Sequence, residues 1–396
     1  MRRIIILFIM LLGFCSGIYP IYFKHIGMQE GLSQLSVMAI YQDQLGRMWF
    51  GTEEGISIYN GVQTIVYKPS EYYRENTNPI GNQTHFIAGD KDGNVFFDSD
   101  NALIRYDIRT QKFSCLQESN VNCITSIQGV IWVGVSDSIF TWNPETEKLD
   151  FAMKLEFSSQ HLTCMKKDSN GQYWIGTTSG LYVKKGDEPL DSVIPGEDIY
   201  CLYEDSRYNL WISIRMNGMY KKDVYGNFTR YRYDPSNPNN ISSNQVRDFT
   251  EDNFGNIWIG TFTGLNKYNP ISGKFEVYAR NPLPGSMTHS SVFPIYKDRQ
   301  GTIWLGTYYG GVNYFNPETD LFTVYTANNA RNDCLNYPFV GKMVEDKDDN
   351  VWICTEGGGL HFFDRKTKKF TYFMANENRN SIAHNNLKAI AYSPER

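Results

Sequence analysis

The chain has 396 residues, among them 27 Tyr, 24 Phe, 8 Trp and 33 Gly, an aromatic load that excludes a disordered chain. Only 20% of the residues are charged, which excludes an extended coiled coil, and a net charge of −5 argues against a nucleic-acid surface.

In chain order, Met1-Arg2-Arg3 and the apolar run Ile4–Phe14 have the layout of a secretory signal peptide spanning residues 1–17, with Ser16 and Gly17 placed for cleavage. The run is shorter than the ~20 residues of a membrane span, and Pro20 interrupts its continuation, so an exported product is expected. Cys15 is no lipidation site by this reading, because Phe14 stands where a small residue is required. Cys115, Cys123, Cys164, Cys201, Cys334 and Cys354 contain no Cys-x-x-Cys pair, so no zinc or redox site is expected.

Internal repetition organises the rest. Trp49, Trp132, Trp174, Trp211, Trp258, Trp304 and Trp352 share one sequence environment, and Phe96 takes the same place in an eighth copy. Their spacings are 47, 36, 42, 37, 47, 46 and 48 residues. Six residues before the aromatic stands an aspartate in seven copies, as at Asp43, Asp252 and Asp298. A glycine follows three residues after most of these aspartates, which is a tight-turn signal. Gly-Thr follows the tryptophan in four copies, then a Gly-Ile/Leu step, then an aromatic and an apolar residue three apart, as at Phe275 and Tyr278. Short apolar runs flank each turn, so every copy reads as four short strands. Strand quartets every ~40–48 residues predict an all-β chain of propeller blades, with the tryptophans as core residues between blades.

The segment Asp252–Leu265 and the preamble Gly31-Leu-Ser-Gln-Leu-Ser-Val37 resemble the two-component regulator propeller repeat. That resemblance implies the periplasmic sensor part of a hybrid two-component system that detects glycan fragments, with kinase and DNA-binding modules elsewhere. It also implies an oligosaccharide or other small periplasmic ligand as partner and a homodimer formed through C-terminal parts. The chain ends inside a ninth copy, where Asn385–Ile390 aligns with Asn244–Phe249, so the family's second propeller, membrane helix and kinase are expected to be missing. The predicted division is one seven-bladed propeller over residues 20–318 and the first blade or blades of an incomplete second over residues 319–396. The segment Tyr22–Ile26 has the form of a fourth strand and is expected to complete the seventh blade; a ring of eight blades is the alternative.

No catalytic machinery is expected. The six histidines are scattered without metal-ligand spacing, and the aspartate clusters at Asp90 and Asp346 fall on the repeat's turn, so neither metal nor cofactor is predicted. Candidate ligand residues lie in the turns between the second and third strands of the blades: Glu53, Glu54, Arg215, Asn217, Phe262, Tyr308, Tyr309 and Glu356. Aromatic faces beside carboxylates, amides and an arginine suit a sugar. A propeller enzyme of the streptogramin lyase or polysaccharide lyase type, or a protein-binding scaffold, would share the same repeats.

Overall fold

The computed structural model describes residues 21–72, 80–100, 102–117, 120–155, 161–186, 188–237, 239–283, 285–318, 325, 327, 334–377 and 380–393. The predicted signal peptide lies outside them. Eight antiparallel four-stranded sheets account for the architecture, with short helical turns at Met28–Glu30 and Pro69–Tyr72. Among the described residues no helix is long and apolar enough to cross a membrane.

Two compact units divide near residue 321. In the larger, the innermost strands of seven sheets are Val37–Gln42, Ile87–Gly89, Val121–Ile127, Leu162–Lys167, Ile199–Glu204, Val246–Glu251 and Val292–Lys297. Each packs beside the innermost strand of the next sheet, and the seventh packs beside the first. Seven blades therefore close a ring.

The repeat's aspartate explains why each blade opens with the same hairpin. Asp43 Oδ1 accepts the amides of Leu45 and Arg47 at 3.0 and 2.9 Å, while Oδ2 accepts the Trp49 indole N–H at 2.8 Å. Asp168, Asp205, Asp252 and Asp298 hold Trp174, Trp211, Trp258 and Trp304 in the same way. The interval of six residues is thus the reach from a turn carboxylate to an indole across a hairpin. Phe96 has no N–H, and there Asp90 takes the side-chain amide of Asn94 instead. Trp132 lacks the aspartate and is only half-buried, short of the core position expected for it. Trp49, Trp211 and Trp258 are buried completely or nearly so.

The ring is sealed where its first described strand joins its seventh blade. Lys24–Ile26 pairs antiparallel with Val312–Phe315, His25 opposite Asn313, and forms the outermost strand of the seventh blade. Phe23 is buried against Phe315 at a ring separation of 5.2 Å and shares a core with Trp258. The seam also repeats the chemistry of the internal junctions. Ser169 N–H donates to Glu204 between blades four and five, and Ser206 N–H donates to Glu251 between five and six. Between seven and one, Arg299 N–H donates to Gln42 Oε1 at 3.0 Å.

The smaller unit contains one sheet, Val340–Glu345, Val351–Thr355, Leu360–Asp364 and Lys369–Phe373. Its core is Leu335, Ile353, Phe363 and Phe370, with Tyr325 packed on both phenylalanines. The start of the second propeller, expected at residue 319, lies outside the described residues, which take up again at Tyr325.

Candidate functional site

The turns between second and third strands are fixed by the Gly-Thr pair. Thr52 Oγ1 donates to the Gly55 carbonyl at 2.9 Å, and Thr261 does the same to Gly264 at 2.8 Å. Gly55 stands at φ +104°, and a Cβ there would meet the Tyr67 carbonyl at 2.4 Å, so no side chain fits. In the seventh blade the turn is one residue longer, closing from Thr307 to Gly311. The added length holds Tyr309 at φ +59°, a left-handed conformation that costs a bulky residue about 1 kcal/mol.

A second set of side chains comes from the innermost strands. Six of them carry a bulge after their first residue, between Val37 and Ala39, Val121 and Cys123, Leu162 and Cys164, Ile199 and Cys201, Val246 and Asp248, and Val292 and Ile295. A bulge frees the skipped residue from the ladder and re-aims its side chain. The residues so released include Met38, Asn122, Thr163, Tyr200, Arg247 and Phe293, all half-buried in strands that are otherwise mainly packed.

Turns and bulges meet in an arc over blades five, six, seven and one. The Arg247 guanidinium lies 3.6 Å from the Phe293 ring centre and 5.4 Å from that of Phe262, and its Nη1 donates to Ser291 Oγ at 2.8 Å. Phe293 faces Tyr308 at 5.9 Å, and Tyr308 meets Tyr309 edge to face at 4.2 Å. The Tyr309 hydroxyl is pushed up first by its hydrogen bond with Tyr308, then by the charges of Tyr308 and Glu53. On the other side, Arg215 stacks over Tyr200 at 4.8 Å and its Nε donates to Asp198 Oδ2 at 2.7 Å. Burial pushes the Tyr200 phenol up, with the charges of Arg247 and Arg215 pulling against it. Beyond Glu53, His85 faces Asp98 at 3.1 Å, and that hydrogen bond raises the imidazole above its ordinary value against the opposing effect of burial.

Of the residues named from sequence, Glu53, Phe262, Tyr308 and Tyr309 come together, and Arg215 joins them through Tyr200. Glu54 pairs with Lys68 at 3.5 Å, and Asn217 donates to Glu197 at 2.9 Å. Glu356 lies in the smaller unit, where it pairs with Lys388. Thr263, next to Phe262, lines an open cavity of about 500 Å³ with Tyr233, Asn237, Asn240, Ser243 and Val277. Arg247, Tyr200, Phe293 and His85 escaped the sequence reading. For the first three the signal was the variable residue after the aliphatic start of the inner strand, as in Val246-Arg247 and Ile199-Tyr200, whereas His85 follows Thr84 ahead of its strand.

Among the described residues no three His, Cys, Asp or Glu side chains converge as a metal ion would require. Cys123, Cys164, Cys201 and Cys354 are free thiols.

The model of the two component regulator propeller matches residues 31–54, 156–179, 194–215, 240–263 and 286–309, the copies of blades one, four, five, six and seven. Blade five, whose copy reads as degenerate beside the others, is among them. A histidine kinase from Formosa agariphila is 26% identical over 167 residues, covering 38% of this chain and 12% of that protein. An extracellular domain assigned to a hybrid two component system of B. thetaiotaomicron superposes with a TM-score of 0.70 at 24% identity, over 89% of this chain and 49% of that one. Virginiamycin B lyase from Staphylococcus aureus superposes with a TM-score of 0.57 at 14% identity, over 74% of this chain and 98% of the lyase. The chain thus spans about an eighth of the curated relative and half of the first of these structures.

Proposed function

Since the chain is built of two component regulator propeller repeats, we propose that it is the ligand-reading part of a hybrid two-component sensor, exported to the periplasm, and that its ligand is an oligosaccharide. The observation that carries this reading is the arc of Phe262, Phe293, Tyr308 and Tyr309 at one face of the ring, with Glu53, Arg247 and an amide-rich cavity beside it. Rings offer faces to the C–H patches of a sugar, and the flanking polar groups take its hydroxyls. The left-handed Tyr309 supports the same reading, because backbone strain of this kind persists where a side chain must be presented. Residues 319–396 are read as the opening blade of a second propeller, since their sheet repeats the aspartate–indole clasp at Asp346 and Trp352. Kinase and output would reside in other parts of the longer signalling protein.

The test is calorimetric titration of the full chain with an oligosaccharide panel, with chromatography of the recovered sugar. Saturable binding with the sugar returned intact is expected, and Tyr308→Ala should weaken it about tenfold. Appearance of an unsaturated product would make the chain a lyase. Unchanged binding in both Tyr308→Ala and Phe262→Ala would remove the arc from the site.

A further inference from the structure

Arg247 is a charge without a counter-charge. Its guanidinium is half-buried between blades, where burial lowers it from its ordinary value, yet no carboxylate lies within ion-pair distance of it among the described residues. Its neighbours are the rings of Phe293 and Phe262, the hydroxyl of Ser291, and the phenols of Tyr200 and Tyr308. The adjacent carboxylate does not serve. The bulge between Val246 and Asp248 turns the two side chains apart, and Asp248 is committed to the ring wall. There its oxygens accept the amides of Ile295 and Phe249 at 2.8 Å each and the Cys201 thiol at 3.4 Å. Arg215, Arg230 and Arg105 of the same ring are matched with Asp198, with Glu197, and with Asp107 and Glu147. The ring arginines without an ion pair among the described residues, Arg109, Arg232, Arg280 and Arg299, are exposed where Arg247 is half-buried. A protein of net charge −5 has carboxylates to spare, so an unmatched guanidinium at this place marks where an anion comes from outside.

Its geometry favours a forked acceptor. Stacking on Phe293 at 3.6 Å fixes the guanidinium plane, and only one of its N–H groups is used, toward Ser291. None of its nitrogens is sealed from solvent without a partner, in contrast to Arg47 Nη2 and Arg105 Nε. A planar, pre-oriented fork with free edges suits two parallel hydrogen bonds to a carboxylate or a sulfate.

We propose that the ligand is an acidic saccharide, and that Arg247 holds the carboxylate or sulfate ester of one sugar unit while Phe262 and Tyr308 carry neighbouring ring faces. This rests on the saccharide-sensing reading above and narrows its ligand class. The full chain is titrated with a galacturonic acid trimer, an alginate trimer, a sulfated chondroitin disaccharide, a neutral galactose trimer, and sodium acetate and sulfate as free anions. An acidic sugar should bind, Arg247→Gln should weaken it at least about 30-fold, and Arg247→Lys should fall between, because lysine keeps the charge and loses the fork. Binding of the galacturonate or alginate trimer assigns a carboxylate to the site, and binding of the sulfated chondroitin disaccharide but not of its unsulfated form, which keeps the uronate, assigns a sulfate ester. Near-ultraviolet circular dichroism matching the parent confirms that the variants are folded. If the neutral trimer binds as well as the acidic ones and Arg247→Gln changes nothing, the acidic assignment falls and the saccharide reading stands. If acetate or sulfate binds at Arg247 and no sugar does, the saccharide reading falls and this proposal with it. If no probe binds, both are overturned.

Discussion

The blades of the ring and the blade of the C-terminal unit are written in one repeat, yet they are buried to different degrees. The innermost strand Val246–Glu251 is buried or half-buried at every position, whereas its counterpart Val340–Glu345 is exposed at all but Val344. Trp258 is 1% exposed and Trp352 is half-buried, although both indoles donate to the turn aspartate, at 2.9 and 3.0 Å. Glu251 receives the Ser206 amide of the preceding blade, while Glu345 turns to Arg365 of its own blade at 2.7 Å. The hairpin and its clasp are therefore local products of the repeat. Burial is a product of having neighbours on both sides.

The largest expected effect tests that distinction directly. Trp258→Ala should destabilise the ring by about 3–5 kcal/mol, since it empties a packed position between blades six and seven. Trp352→Ala should cost its unit under about 2 kcal/mol, because the same clasp is lost with much less apolar surface. Urea unfolding read by amide exchange in each unit measures both, and equal costs would break the comparison.

A somewhat smaller loss is expected at the seam. Phe23 is 5% exposed and anchors the strand that completes the seventh blade, so Phe23→Ala should cost about 3 kcal/mol. The damage should spread unevenly. Amides of Lys24–Ile26 should exchange faster than those of Val121–Ile127 on the far side of the ring, because an unlatched seam leaves the other blades paired. Uniform acceleration around the ring would show that Phe23 is ordinary core rather than a latch.

The fold was legible because its determinants are local and repeated. The Asp-to-Trp interval, the Gly-Thr turn and the aromatic pair at Phe275 and Tyr278 recur in copies that vote together, and the strand-like form of Tyr22–Ile26 pointed to the seventh blade, where the strand pairs. The indole clasp itself was not anticipated; the aspartate read only as a turn former. The site was legible in part. Turn residues such as Phe262 and Tyr308 stand out because glycine and threonine frame them. Arg247, Tyr200 and Phe293 did not, because a bulge breaks the alternation that assigns residues to faces, and a skipped position looks like any strand residue. Glu356 shows the converse: it holds the right place in its repeat but lies in the other unit.

The smallest expected effect separates the two units by the sign of their response to pH. In the ring, burial pushes the Asp248 carboxyl up to about 6: the residue keeps some exposed surface, but the protein packed around its carboxyl dominates. The folded ring then holds a proton that the unfolded chain releases near pH 4, so stability falls as pH rises from about 4 to 6, by about 2 kcal/mol, and is flat beyond. His85 acts in the same direction at higher pH. Its folded value is raised, so its contribution is complete below the unfolded value and is lost as pH rises through the folded one. The C-terminal unit has the opposite bias. His361 is fully buried, its ring facing Asn336, and burial lowers it, so charging it opposes folding. Its contribution to that unit's stability should be present above the ordinary histidine value and be lost as pH falls from there through the depressed folded value, with no further change below it. Urea midpoints read by amide exchange at pH 4.5 and 7.5, corrected for intrinsic exchange, should move down for the ring and up for the C-terminal sheet. Midpoints moving together would mean that the net charge of the chain, and not these buried groups, sets the response.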